Sequence, residues 1–439
     1  MRLLFFIILV FLLNNCSFDK KSGIWNNESI ENDQKNIFKE FKKISSSRET
    51  FKQNVPFQGN FSFKTPEPIS NFTWSDIFYN SQNNYDNFYY NETNQIILKS
   101  KKLSKSNLDF YKVYEDRNII ITDSKGNIII YSIDQKKIIL NFNFYKKQFK
   151  KIKKELNVIV ENGIIFTADN LGFLYAYDYK QNKVIWAKNY KIPFSSNLKI
   201  YKDKLIASNQ ENNLYILNKI NGNLIQLIPT EESPIKNQFK NNLSISGDNL
   251  IFLNSFGSLY SINLKRIAIK WFNNFNQSTD LSPSNLFEGN TVVSDDSDVI
   301  ISNNTETYFI DLVRGNVKKK YNFSSNIKPI IINKTAFFLT KNNFLVSINM
   351  KNKEIIYSYD INKIEELAKI KIKKDSFKNL LILNRKIFIF LENSEVAKFS
   401  LDGQFLESSK LPAKIKSAPI ILDGSIIYLN DKNKLIILN

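Results

Sequence analysis

Histidine is absent from the 439 residues and cysteine occurs once, at Cys16, so few side chains are left that could do chemistry. Zinc sites draw on His and Cys, and none is open to this chain. No nucleophile stands beside a general base at a recognisable spacing, and no glycine-rich phosphate loop occurs. The tightest group of acids is Asp295, Asp296 and Asp298. Carboxylates gathered in a loop can bind calcium, but a solvated turn uses the same residues and is the preferred reading. Cys16 remains. It follows directly on an apolar run over residues 3–13 that begins after Met1-Arg2. Eleven residues are too few for a membrane-spanning helix, which takes about 20, and suit the apolar part of an export signal. No later stretch holds 18 consecutive apolar residues, so nothing else is expected to span a membrane.

The elements that must carry any function form a repeat. Between residue 117 and the C-terminus a short pattern recurs eight times: a hydrophobic strand, a small polar turn, and a second strand ending in Asp, Asn or Ser. The clearest copy runs from Gly163 to Asp178 and continues through Asn182-Lys183 to Trp186. The closing polar residues fall at Asp134, Asp178, Asn218, Asn263, Asp311, Asn349, Ser400 and Asn439. The spacings lie between 38 and 51 residues, about one four-stranded propeller blade each. Apolar runs such as Leu250-Ile-Phe-Leu253 and Ile387-Phe-Ile-Phe390 are what strands covered on both faces show. Copy five is the most degenerate, read as Thr291-Val-Val293 followed by Thr307–Asp311. Glycine is scarce for a propeller, at 12 residues. Asn and Asp tolerate the left-handed region and crowd the turns, as in Asn212-Asn213, Asn342-Asn343 and Asp431-Lys432-Asn433.

The expected fold is all-β: an eight-bladed β-propeller of four-stranded antiparallel blades over residues 71–439. The last copy stops at Asn439, one strand short of the others. An N-terminal strand, placed around Trp74, is expected to close the ring and remove the open sheet edges. Residues 16–70 are rich in Lys, Asn, Ser and Glu and read as a tether, with a short amphipathic helix near 33–46. The formal net charge is +19, but Lys, Asn, Ile and Phe are used heavily throughout. Part of that charge is compositional background, and no nucleic-acid partner is expected. Two insertions stand out, the lysine-rich residues 145–157 and residues 361–380. Basic loops can attract anionic groups, and a solvated rim is the preferred reading of both.

Two resemblances add to this. The segment ending at Cys16 resembles a bacterial lipoprotein signal, with Leu13 at the −3 position, residues 1–15 removed and Cys16 lipidated. An ordinary secretory signal with a coincidental cysteine is the alternative. No Asp follows the cysteine, which by that resemblance implies sorting to the outer membrane. Ala176, Asp178, Lys183 and Trp186 resemble the Ala-x-Asp-x-x-x-Gly-Lys-x-x-Trp repeat of the PQQ-like, or quinoprotein-like, propellers, with Asn182 in place of Gly. Trp271 lies at the matching outer-strand position of a later copy. In that family the tryptophans dock between blades, a structural role. Elsewhere Tyr357, Leu140 or Ile225 replaces them. Signal, tether, eight repeats and size together resemble the BamB-type outer-membrane assembly lipoproteins of that family. The resemblance implies a non-enzymatic scaffold, anchored in the outer membrane and facing the periplasm. Its implied partners are the barrel-forming subunit of the assembly complex and unfolded outer-membrane proteins. No cofactor, catalytic residue or metal site is expected. The alternatives are a PQQ-dependent dehydrogenase, which would need a calcium site, a catalytic Asp and usually an adjacent-cysteine disulfide, and a generic periplasmic protein-binding propeller.

Overall fold

The computed structural model describes residues 51–232, 239–276, 287–325, 327–364 and 377–439. The signal, Cys16, the helix expected near 33–46 and most of the insertion 361–380 lie outside the described residues. Among those described, no helix is long and apolar enough to cross a membrane.

Eight sheets follow one another in chain order, and each is one blade. In blade 2 the strands, from the innermost outward, are Leu156–Glu161, Ile164–Asp169, Phe173–Asp178 and Lys183–Asn189, all antiparallel. The innermost strands of blades 1 to 8 begin at Val113, Leu156, Lys199, Asn242, Val293, Ile330, Phe377 and Ile420. The two middle strands of each blade are the recurring pair seen in the sequence. Their side chains are buried on both faces, whereas outer strands such as Lys183–Asn189 alternate with solvent. The core is divided accordingly. One apolar cluster lies between blades 1 and 2, one between 2 and 3, and so on, until the largest joins blades 6, 7, 8 and 1. A chain of clusters that returns to its start is a closed ring, and each blade is stabilised by both neighbours.

Turn chemistry follows the sequence. Asp178, Asn218, Asn263 and Asp311 each accept two backbone N–H groups from the turn leading to the outer strand. The closing polar residue of the repeat is therefore a turn cap. Asn212, Asn343 and Asn433 adopt positive φ, in the place glycine would otherwise take.

Three expectations need correction. The ring is closed by an N-terminal strand, but that strand is Ile96–Lys99, which pairs antiparallel with Leu435–Leu438, and not the segment around Trp74. Trp74 instead bridges Tyr114 on the innermost strand of blade 1. In copy five the second strand is Asp298–Ser302, and Val293–Ser294 is the innermost strand. In copy one the cap is Ser132, which accepts from Gln135 N, while Asp134 pairs with Arg117.

Candidate interaction surfaces

The repeat residues build the seams between blades. Ala176 is buried in the third strand of blade 2 and lies opposite Trp186 on the outer strand; Lys183 lies opposite Asp178. The Trp186 indole donates to Lys219 O (2.9 Å) and covers Gly222 of blade 3 so closely that a Cβ there would sit 2.5 Å from the ring. Trp271 repeats this on blade 5, donating to Leu312 O (3.1 Å) over Gly315. Tyr357 covers Gly403 of blade 7 in the same way. Each of these glycines has positive φ and no room for a side chain, which fixes both requirements at once. From blade 2 to blade 7 the seams alternate: at the matching position blades 3, 5 and 7 carry Gln226, Lys319 and Glu407, while blades 1 and 8 carry Leu140 and Leu98. Ile225, expected in that place, sits in a bulge one residue away and is exposed.

The acids of copy five do not converge. Asp295 caps its own turn through Ser297 N and Asp298 N, and Asp296 accepts from Gln82. Asp298 is buried and pairs with Lys353 of blade 6 (2.7 Å) and with Lys318 (3.0 Å). No group of three acids able to hold a metal ion occurs among the described residues. In the basic insertion, Lys154 turns inward over the Tyr145 ring and donates to Phe149 O, while the lysines at 146, 147, 150, 151 and 153 stay exposed.

Sequence reasoning missed the hub. Residues 71–88 make one full circuit of it and bond to the innermost strand of every blade in turn. Asn71 reaches Ile421 O of blade 8 (2.8 Å), Trp74 pairs with Tyr114 of blade 1, and Ser75 O accepts from Val160 of blade 2. Asp76 holds Lys199 of blade 3 (2.6 Å), Ser81 O accepts from Ile245 of blade 4, and Gln82 O from Ser294 of blade 5. Asn84 exchanges two bonds with Ile331 of blade 6, and Asn87–Phe88 pairs in parallel with blade 7. Trp74, Tyr85 and Phe88 are buried against one another within the turn.

Buried lysines pin this circuit. Lys199 Nζ donates to Asp76, Asn80 O and Asn83 Oδ1, and Lys328 donates to Phe78 O and Asn83 O while lying over the Tyr85 ring. Burial lowers both pKa values, an effect that the Asp76 carboxylate opposes at Lys199. Lys112 has no carboxylate; it clasps Ser417 Oγ and Ala418 O of blade 8, and burial pushes its pKa down to about 7. The only sequence sign of the circuit was its density of Asn and aromatic residues.

The outer strands form the rim. Most carry lysine, as in Lys137–Asn143 and Val317–Tyr321, and charge discourages pairing with other chains. Blade 3 is different: Leu224–Ile228 has no charged residue and four of its five side chains are exposed. Blade 6, with Ile355–Asp360, is covered by the chain itself, since Val55 and Ser358 exchange both backbone hydrogen bonds (2.9 Å each).

Eight four-stranded blades with Trp-on-Gly seams define an eight-bladed PQQ-like β-propeller. The sequence profile described as "Outer membrane protein assembly factor BamB" matches residues 125–359, more than half of the chain, and the chain belongs to that family. No curated protein sequence matches it. Among solved structures, BamB from Moraxella catarrhalis superposes with a TM-score of 0.61 at 12% identity, over 78% of this chain and 100% of that one. Quinohemoprotein alcohol dehydrogenase from Comamonas testosteroni gives 0.61 at 9% identity, over 83% and 80%. The computationally designed Ika8 protein gives 0.59 at 8%, over 78% and 99%. At such identities these likenesses establish the fold alone.

Proposed function

We propose that the chain is a non-enzymatic scaffold of the outer-membrane β-barrel assembly machinery. In this reading residues 1–15 are a signal, Cys16 carries the lipid, a tether follows, and the propeller faces the periplasm. Membership of the BamB family carries the proposal. The side chains add support: the acids of copy five are engaged in turn caps and ion pairs, and the segment circling the hub buries Trp74, Tyr85 and Phe88 against one another. The partners would be the barrel-forming subunit and unfolded barrel proteins, met through the rim. Bare edges such as Leu224–Ile228 suit pairing with extended strands.

Affinity purification from membranes followed by mass spectrometry tests this directly. Recovery of a barrel-assembly subunit is the expected result; its absence, with normal barrel protein levels in a deletion strain, would sink the reading. Dye reduction on addition of the quinone would favour the dehydrogenase that shares this fold. For the anchor, Cys16→Ser should release the protein from membranes, and unchanged membrane association would remove the lipid from the proposal.

A further inference from the structure

The stretch that covers blade 6 is a strap, residues 51–69, and it is held by few means. Phe51 packs on Phe323 and Phe344, at 5.2 and 5.5 Å between ring centres. On blade 6 Val55 makes a two-bond bridge to Ser358, Phe57 N donates to the Tyr359 hydroxyl (2.8 Å) and Asn333 donates to Lys64 O, while Ile69 makes a second two-bond bridge, to Asn87 and Tyr89. Phe63 lies against Phe337 and Tyr357 (6.3 and 6.4 Å). Phe57, Phe61 and Phe63 are all only partly buried. No salt bridge to a buried group and no continuous ladder joins the strap to blade 6 among the described residues.

What lies beneath is unusual for this rim. Tyr357 and Tyr359 stack (5.1 Å between ring centres) over Gly403, forming an aromatic shelf beside an edge strand without lysine. Apart from Asp360 at its end this strand is uncharged; an uncharged edge stretch invites pairing with another extended chain, and a shelf of this kind takes aromatic side chains. The strap supplies both, an extended backbone at Val55 and phenylalanines at 57 and 63.

We propose that the outer edge of blade 6 with its Tyr357–Tyr359 shelf is a docking groove for an extended, aromatic-bearing segment of a partner protein. Residues 55–63 occupy it as a built-in surrogate that such a segment displaces. A tethered occupant acts at an effective concentration of about millimolar, and it lowers the apparent affinity of a competitor by the fraction of time the groove stands empty. The groove is thus closed to weak peptides and open to strong ones. This goes beyond the scaffold reading and does not depend on the barrel machinery.

The test uses the full chain with a protease site inserted at Gly59, where a side chain would meet nothing within 4 Å. A fluorescein-labelled peptide of the strap sequence, residues 53–64, is the probe. After cleavage the folded protein should bind it saturably, at least about ten-fold more tightly than the uncleaved protein does. A peptide with alanine at both Phe57 and Phe63 should compete poorly. If cleavage unfolds the chain, Val55→Pro in the uncut protein removes the N–H donor and should raise peptide binding by itself. No binding to either folded form, or equal binding with and without the intact strap, overturns the proposal. Failure here leaves the scaffold reading standing, because no assembly subunit takes part.

Discussion

Residues 51–69 and residues 71–88 are consecutive stretches of one chain, both outside the repeats and both nearly without regular secondary structure. The first lies along the rim on buried Phe51, half-buried Phe57, Phe61 and Phe63, two isolated β-bridges at Val55 and Ile69, and an exposed Arg385–Glu67 pair; such a surface pair contributes about 0–1 kcal/mol. The second circles the hub with Asn71, Asp76, Asn83 and Asn87 buried, and it bonds through side chains and backbone together to all eight blades. The difference is one of consequence on removal. Where the strap lifts from the rim, water takes its place, whereas breaking a hub hydrogen bond strands a buried group that water does not reach. The hub circuit is therefore structural, and the strap is free to exchange.

The largest effect expected is that of Lys199→Met. It leaves the buried Asp76 carboxylate without its cation and should cost about 4 kcal/mol in chemical denaturation. A loss below about 1 kcal/mol would show that the pair adds little to the hub. Asn83→Ala comes next, at about 3 kcal/mol. Its amide bridges Leu243 O and Val292 O, its oxygen receives Lys199, and its φ of 59° disfavours alanine.

Lys112→Met should change the pH dependence. The folded-state pKa lies below the unfolded value, so the unfolded chain binds more protons between pH 7 and the ordinary lysine range, and stability rises with pH across that window. From pH 7 to about 9.5 the native chain should gain of order 2 kcal/mol through this residue, a gain missing in the variant. Parallel pH profiles would refute it. Phe63→Ala on the strap should have the smallest effect, about 1 kcal/mol or less, because its ring is only partly buried. A loss as large as that of Asn83→Ala would erase the distinction between the two stretches.

The ring is legible in the sequence because its middle strands are buried on both faces and spell unbroken apolar runs. Legibility fails where that signal weakens. In copy five, Val292-Val293 is the more apolar stretch, but the second strand begins at Asp298, whose charge is neutralised by lysines of its own outer strand and of the next blade. Ile225 is the more apolar candidate for the seam, yet Gln226 holds the position. A bulge shifts the outer strand by one residue, and a one-residue shift moves side chains to the other face. Trp74 resembles an outer-strand residue by its neighbours, but its partner Tyr114 is on the innermost strand. The hub circuit has no pattern to find. Its bonds run from an Asn-rich segment to carbonyls as far as 350 residues away, and no local periodicity encodes them.

That circuit also fixes when the molecule can be finished. Residues 71–99 are synthesised before any blade, but their partners include Ile421 and Leu438, near the very end of the chain. A segment made before the blades has to wait for the last of them. Until the last blade has formed and taken up Ile96–Lys99, the innermost strands lack a complete clasp and Leu435–Leu438 stands as an unpaired apolar edge. Pairings at such separation are slow to form, and an exposed edge is prone to wrong partners meanwhile. Completion is a single late event, after which the ring is held by its own beginning.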